Sequence, residues 1–449
     1  MSRPYMMIAL VTSYSLAALW GQADDATQIS PKDLARQFVG QLLAGEYEQA
    51  VRSFGAKMTA AMSADQLREA WESLPPKAGA FREIVEVTMI RKGKYDVAVV
   101  TCRFEKGQLD VKVVYNPESK ISGLWFSPTT PVEGPPPTYA DRKKFTEEEV
   151  TVGAGWWALP GTLTVPVGKG PFPTLILVHG SGPNDRDETI GPNKPFRDLA
   201  WGLATQGIAV LRYEKRTRHH QLKMVLLATS LTVQEETIDD ALAAVETLRN
   251  MKQIDAKRIY VLGHSLGGML VPRIANGDEN VAGFVILAGT SRPLEDILLE
   301  QTDYVLSLTD ELPEKDRETL EKLRTQVARV KAPDLSKDTP AAELPLGVPV
   351  SYWLDLRGYE PAKEAAELTR PLLVMQAGRD YQVTMDDYQI WKQALAEKPN
   401  VRFRLYPKCN HLFIEGEGKC TPAEYAQPGN VTKSAIDDIA NWIRDQLKR

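Results

Sequence analysis

The stretch from Ile259 to Gly268 constrains this chain more than any other. Ile259-Tyr260-Val261-Leu262 is a continuous apolar run, the pattern of a strand buried on both faces. Gly263-His264-Ser265-Leu266-Gly267 follows, and from Leu266 to Ala275 the pattern becomes helical. A strand that passes into a helix within so few residues needs a very tight turn. Glycines at 263 and 267 remove the Cβ atoms that would collide there, and Gly268 lets helix and strand approach closely. Such a turn lifts the Ser265 oxygen above the end of the strand. A G-x-S-x-G string is common by chance, but between a strand and a helix it marks the position of a nucleophile.

A neutral hydroxyl is a poor nucleophile and needs a base. On a strand–turn–helix of this kind the partners follow the serine in the order acid, then histidine. The chain has five histidines, His179, His219, His220, His264 and His411. Only His411 comes after Ser265. It follows the run Val401 to Tyr406, on a stretch able to fold back over the serine. The acid is expected just past the run Leu372 to Met375, where Gln376-Ala377-Gly378-Arg379-Asp380 points to Asp380. Asp386 and Asp387 compete from a helix starting near Thr384, and Asp355 and Glu415 are weaker alternatives. The acid would hold the imidazole in one tautomer and stabilise the imidazolium.

The oxyanion of a tetrahedral intermediate needs backbone amides. Leu266 N–H is one. The second is expected from His179-Gly180-Ser181-Gly182-Pro183, after the run Leu175 to Val178, with Ser181 as first choice and Gly182 as second. His179 precedes the serine and reads as a brace for this loop. Asp185, Arg186 and Asp187 are expected to fix the loop, since one guanidinium can hold two carboxylates. Arg216, Arg218, His219 and His220 read as a solvated basic loop.

Around these motifs, apolar runs alternate with helical patterns. The runs are Leu175 to Val178, Ile208 to Leu211, Ile259 to Leu262, Phe284 to Leu287, Leu372 to Met375 and Val401 to Tyr406. Thr232 and Glu235 form a capping box ahead of Ile238, Ala241, Leu242, Val245 and Leu248. This alternation predicts an α/β domain over 150–449, a mostly parallel sheet covered on both sides. A long insertion, about 291–370, interrupts it. Leu294, Ile297, Leu298 and Tyr304 are in helical phase, and Tyr352, Trp353 and Leu356 form a second apolar piece. The insertion is expected to be a helical cap over the catalytic end of the strands, or else a surface for domain packing.

At 449 residues the chain is longer than one core usually serves. Residues 30–127 read as a small α+β unit. Ser30 is a plausible N-cap before Pro31, and Leu34, Phe38, Leu42 and Leu43 share one helical face. After Pro75-Pro76 the period becomes two, with strands at Ile84 to Val87, Val97 to Val100 and Val111 to Val114. Pro128, Pro131, Pro135, Pro136 and Pro137 make 128–149 a stiff linker, and the charged stretch from Asp141 to Glu149 leads into the second domain.

His179 to Asp187 (HGSGPNDRD), the Gly263–Gly267 turn and Asn410-His411-Leu412-Phe413 resemble the α/β-hydrolase superfamily, over roughly residues 150–449. Within it the likeness is to bacterial esterases related to the dienelactone-hydrolase and acyl-peptidase branches. The resemblance implies an α/β-hydrolase sheet with a helical cap insertion. It also implies Ser265, Asp380 and His411 as a triad that cleaves carboxylic esters through an acyl-enzyme. A dienelactone hydrolase proper has a cysteine where this chain has Ser265. Residues 30–127, with Gly45-Glu46-Tyr47-Glu48-Gln49-Ala50, resemble the NTF2-like domains of unknown function found ahead of some bacterial hydrolases. The alternative activity is that of a serine peptidase, aminopeptidase or oligopeptidase. An oligopeptidase propeller needs several blades of about 40 residues each, and the N-terminal region is too short and shows no repeat. A third possibility, a binding protein that kept the fold without catalysis, is opposed by the intact order Ser265, Asp380, His411.

Net charge is −5 with no long basic run, which argues against a nucleic-acid partner. No cofactor is expected. No His/Asp/Glu/Cys cluster has metal-ligand spacing, so no metal is expected either. The expected partner is a small-molecule ester; no motif sets an oligomeric state. Arg3, the uncharged apolar stretch Met6 to Trp20 and the small-x-small Gly21-Gln22-Ala23 predict a signal peptide over 1–23. The stretch is short for a membrane span, though an uncleaved anchor is the alternative reading. The mature protein would be secreted or periplasmic, with no membrane span after signal removal. Of three cysteines, Cys102 falls in a strand. Cys409 and Cys420 bracket His411 and are either bridged, as an oxidising compartment allows, or two free thiols.

Overall fold

The structure, a computed structural model, describes residues 30–448 except 75–78, 93–94, 106, 129–133, 225–228 and 310–312. The expected signal peptide 1–23, Pro75-Pro76 and Pro131 lie outside the described residues. The chain divides into two units, Met1–Pro131 and Val132–Arg449.

In the first unit, helix Pro31–Leu43 begins at Ser30, whose hydroxyl accepts from Asp33 N–H at 3.2 Å. The N-cap and the proline in the first turn both satisfy the helix's free N-terminal end. Leu43, expected on the inner face, is exposed, and Ala35, Phe38, Val39 and Leu42 are the buried residues. Four strands, β1 (Phe81–Lys92), β2 (Tyr95–Phe104), β3 (Gly107–Tyr115) and β4 (Ile121–Pro128), form an antiparallel meander in sequence order. Their period-two alternation brings Val87, Val100, Val113 and Ile121 into one core with Phe38, Leu42, Leu67 and Trp71.

The second unit holds β5 (Phe145–Val152), β6 (Leu159–Pro166), β7 (Phe172–Val178), β8 (Ala209–Tyr213), β9 (Ile254–His264), β10 (Gly283–Leu287), β11 (Leu372–Ala377) and β12 (Val401–Tyr406). They lie in the order β12-β11-β10-β9-β7-β8-β6-β5. All six apolar runs are strands, β7 to β12, and they pair in parallel. β5 and β6 pair antiparallel to each other, and β6 to β8. These two strands were not foreseen. β5 starts inside the 128–149 stretch read as linker, because Phe-Thr-Glu-Glu-Glu-Val-Thr-Val looks like a charged connector. Only Phe145 and Val152 are fully buried in it. Glu147 pairs with Arg212 on β8, and Glu149 pairs with Arg186 in the loop after β7. Charges along an edge strand also discourage pairing with a second chain.

Period two along the parallel strands feeds a core on each face. Ile176, Val261, Ile286 and Val374 pack with Leu248, Met269, Trp353 and Trp391. Leu175, Leu262, Val285 and Leu373 pack with Phe196, Leu203, Ile439 and Trp442 on the other side. The chain leaves β7 for β8 on one side and returns to β9 on the other, so the strand order reverses between β7 and β9. A crevice outside the carboxyl ends of the strands is expected at such a point.

The insertion contributes helices Leu294–Leu306, Glu314–Lys331, Val350–Leu356 and Pro361–Ala366. Among the described residues, no helix is long and apolar enough to cross a membrane.

Candidate active site

Ser265 directly follows β9 with φ 54° and ψ −117°, a conformation few non-glycine residues adopt. The turn is held by Ser265 N–H, which donates to the Leu287 carbonyl at 3.0 Å, and by Met269 N–H, which donates back to the Ser265 carbonyl at 3.0 Å. Close packing enforces glycine beside it. A Cβ on Gly267 would stand 2.5 Å from the Val178 carbonyl oxygen and 2.7 Å from that of His179. The start of the helix is thereby pressed onto the loop after β7.

His411 lies on the loop after β12 and Asp380 on the loop after β11. His411 Nδ1 is 2.6 Å from Asp380 Oδ2, and both side chains are buried. Asp380 Oδ1 accepts from the backbone N–H groups of Gln382 at 2.8 Å and Val383 at 3.0 Å. The carboxylate is therefore fixed at one oxygen by the backbone and faces the imidazole with the other, which keeps the imidazole proton on Nδ1. Among the competing acids, Asp386 is exposed on helix Met385–Leu395, and the other three are engaged elsewhere. Asp387 is fully buried and accepts from Thr290 Oγ1 at 2.7 Å and Ser291 N–H at 2.8 Å, with Arg292 on its second oxygen. Asp355 pairs with Arg273, and Glu415 accepts from Thr432.

The serine and histidine segments are joined through His264. Its Nε2 lies 3.0 Å from the His411 carbonyl oxygen, and the two rings are 4.6 Å apart. His264 Nδ1 is 2.8 Å from Glu188 Oε2, a charge contact poorly aligned for a hydrogen bond. Burial alone would lower the His264 pKa, but the adjacent Glu188 carboxylate outweighs it and leaves the imidazole above its ordinary value. Burial in turn raises the Glu188 carboxyl, and the neighbouring His264 more than offsets that, so it sits below its usual range. Among the described residues, the Ser265 hydroxyl makes no hydrogen bond to His411. Such contacts are often loose without substrate and tighten when one binds.

The loop after β7 is clamped from several sides. Gly180 N–H donates to Glu188 Oε1 at 2.6 Å, and Lys215 Nζ donates to the Gly180 carbonyl at 2.7 Å. His179 Nε2 lies 3.0 Å from the Asp185 carbonyl, and burial pushes its pKa down to about 4, which suits a neutral brace. Arg186 does hold two carboxylates, but they are Glu149 and Glu214 rather than its sequence neighbours. A Cβ on Gly180 would stand 3.0 Å from Ser265 Cβ, so this loop passes beside the serine. Ser181 and Leu266 are the two expected amide donors. Neither N–H is taken by another group among the described residues.

Cys102, Cys409 and Cys420 are free, buried thiols. Burial pushes Cys409 up to about 12 and Cys420 up to about 11. The clamp on the His411 loop is polar instead. Glu424 takes Asn410 Nδ2 at 2.8 Å and Arg379 Nη2 at 2.6 Å, which links the residue before His411 to the residue before Asp380. The insertion covers the same place. Tyr304 on helix Leu294–Leu306 stacks on Tyr381 at 4.7 Å, and Gln301 Nε2 donates to the Gln382 carbonyl at 2.9 Å. A cavity of about 930 Å³ beside this cap is walled by Ser291, Arg292, Leu356 and Ile390, not by Ser265, Asp380 or His411.

Glu188, His264, Lys215, Asn410 and Glu424 escaped the sequence reading as site residues. Glu188 directly follows the His179–Asp187 motif, a signal of position alone. Lys215 adjoins the segment read as solvated basic loop. In that segment Arg216 is buried against Asp240, and His220 is buried with Nε2 3.0 Å from the Ala158 carbonyl oxygen, so that reading does not hold for these two. Among the described residues there is no group of three or more His, Cys, Asp or Glu able to hold a metal ion.

Residues 175–427 match the family described as "Alpha/beta hydrolase family", and residues 35–124 match "Protein of unknown function (DUF3887)". The chain is 42% identical over 409 residues to Esterase EstD of Thermotoga maritima, covering 90% of this chain and 93% of the relative. Among solved structures, Est1E from Butyrivibrio proteoclasticus aligns at 14% identity and TM-score 0.44, over 67% of this chain and 99% of that one. Porphyromonas gingivalis dipeptidyl peptidase 4 aligns at 15% identity and TM-score 0.41, over 80% of this chain and 43% of that one.

Proposed function

This chain belongs to the Alpha/beta hydrolase family, and from that membership we propose that it is a carboxylic ester hydrolase working through Ser265, His411 and Asp380. The observation that carries the reading is the buried Asp380–His411 pair, 2.6 Å apart, whose histidine loop is tied through His264 to the strained turn of Ser265. The kinship to an esterase at 42% identity supports the ester as substrate class.

In this reading the Ser265 oxygen attacks the ester carbonyl carbon while His411 Nε2 takes its proton. Asp380, on the other ring nitrogen, stabilises the imidazolium that forms. The Ser181 and Leu266 N–H groups hold the oxyanion. The C–O bond to the alcohol breaks, and His411 returns the proton to the departing oxygen. Water then attacks the acyl-enzyme, gives its proton to His411 and releases the carboxylic acid, and Ser265 regains its hydrogen.

A serine-peptidase activity of the aminopeptidase kind needs free carboxylates in the cap to grip an ammonium. On helix Leu294–Leu306, Asp296, Glu300 and Asp303 are paired with Lys331, Arg292 and Arg324, and Glu295 faces the cavity that Ser265, Asp380 and His411 do not line. Purified protein is expected to cleave short p-nitrophenyl esters and leave aminoacyl anilides nearly untouched. Cleavage of the anilides with the esters intact would overturn the reading.

The same proposal sets the enzyme in the periplasm or outside the cell, on the strength of Arg3, the apolar stretch Met6 to Trp20 and the small residues before Asp24. N-terminal sequencing of protein recovered from the periplasm or medium is expected to begin at Asp24. Protein retained in the cytoplasm with Met1 in place would contradict export.

A further inference from the structure

The peptide joining Gly180 to Ser181 carries two groups of interest. Its N–H belongs to Ser181, the amide given to the oxyanion in the proposal above. Its C=O belongs to Gly180 and accepts from Lys215 Nζ at 2.7 Å. Lys215 is almost fully buried, with a side chain 3% exposed. Behind the ammonium stands Glu236 Oε1 at 3.0 Å, and Glu236 Oε2 accepts from the Tyr352 hydroxyl at 2.7 Å. Lys215 N–H donates to the Asn184 carbonyl at 3.1 Å, so this residue holds the loop after β7 at both its own ends. Asn184 Nδ2 adds a weaker donor to the same Gly180 carbonyl at 3.3 Å.

A buried lysine–glutamate pair is a poor source of stability. Desolvation costs as much as the attraction returns, and apolar residues of similar size do as well or better. Its value here lies in where the cation points. A hydrogen bond accepted by an amide carbonyl draws density from the nitrogen of the same peptide and makes the N–H a better donor. The effect is larger when the donor is charged and the surroundings exclude water.

We infer that Lys215 is a positioning residue of the oxyanion hole, whose ammonium polarises the Gly180–Ser181 peptide and strengthens the Ser181 N–H as a donor. This rests on the esterase reading above. The negative charge on the substrate oxygen grows toward the transition state, so the benefit falls on kcat and scarcely on ground-state binding. Glu188 complements it by anchoring the preceding peptide through Gly180 N–H at 2.6 Å. The loop thus meets one buried charge on each side of Gly180.

The test uses the full chain carrying Lys215→Met, alongside the double variant Lys215→Met/Glu236→Gln. The double variant removes the carboxylate that the single change leaves buried without its cation, and it decides the matter if the single variant fails to fold. On a short p-nitrophenyl ester, kcat is expected to fall on the order of tenfold with KM within about twofold. This is less than the ~10²–10³ seen when an oxyanion donor is removed outright. Affinity for an aryl trifluoromethyl ketone, which becomes an oxyanion on adding Ser265, should fall by the same factor as kcat/KM. Affinity for the unreactive amide analogue of the ester should not change. Unchanged kcat in a folded variant overturns the inference, and so does equal weakening of ketone and amide, the signature of a loop that has merely loosened. Ser265→Ala run in parallel separates the two levels. If that variant is inactive and the Lys215 variants are normal, only the role of Lys215 falls; if Ser265→Ala still turns over the ester, the assignment of Ser265 as nucleophile is wrong, and the oxyanion hole built around it falls with it.

Discussion

Replacing Ser265 with alanine is expected to lower kcat on a short p-nitrophenyl ester by about 10⁶-fold, or about 8 kcal/mol of transition-state stabilisation. The change removes the one oxygen on which the proposed acyl-enzyme can form. The fold should be unaffected. Alanine carries the same Cβ as serine, so the cost of φ 54° at this position is already present in the native chain. Steady-state kinetics and covalent labelling by a fluorophosphonate measure the effect together with a melting curve. A folded variant that keeps more than a tenth of the native kcat, or still takes the label, would remove Ser265 from the mechanism.

Asp380→Asn is expected to lower kcat by about 10⁴-fold, with KM little changed. The amide can still present an oxygen to Gln382 and Val383 N–H, as Asp380 Oδ1 does at 2.8 and 3.0 Å. That leaves an NH₂ group facing His411 Nδ1, where the native carboxylate oxygen stands 2.6 Å away. An N–H there obliges Nδ1 to accept, which moves the imidazole proton to Nε2 and leaves no lone pair for the serine proton. The negative charge that would stabilise the imidazolium is lost as well. The measurement is kcat against pH for native and variant protein. A loss below tenfold would give the role to another carboxylate, yet Asp387 is committed to Thr290, Ser291 and Arg292.

Much of this arrangement was legible before any coordinates. Six apolar runs named β7 to β12, because a strand covered by helices on both faces has no polar side to blur its pattern. The tight turn at Gly263–Gly267 could be read from two glycines that the close approach of backbones requires. His411 stood out by chain order, and Asp380 by its place past an apolar run. The two antiparallel strands, β5 and β6, were not legible. The run of glutamates at 147–149 has neither a long apolar run nor a clean alternation; it is a strand by its pairing with β6, with Arg212 on β8 and Arg186 in the loop after β7 meeting Glu147 and Glu149.

Local chemistry therefore settled where the six parallel strands and the serine turn would form, since each depends on residues a few positions apart. Apart from Asp380 with His411, the assignment of these buried and half-buried charges waited for folding. Arg186 takes Glu149 and Glu214 rather than Asp185 or Asp187, and Lys215 takes the Gly180 carbonyl and Glu236 rather than solvent. Glu188 reaches both His264 and the Gly180 amide. Coulombic partners are chosen by distance in space and by exclusion of water. Both are properties of segments that meet only when the sheet has closed, and neither leaves a mark on the order of residues along the chain.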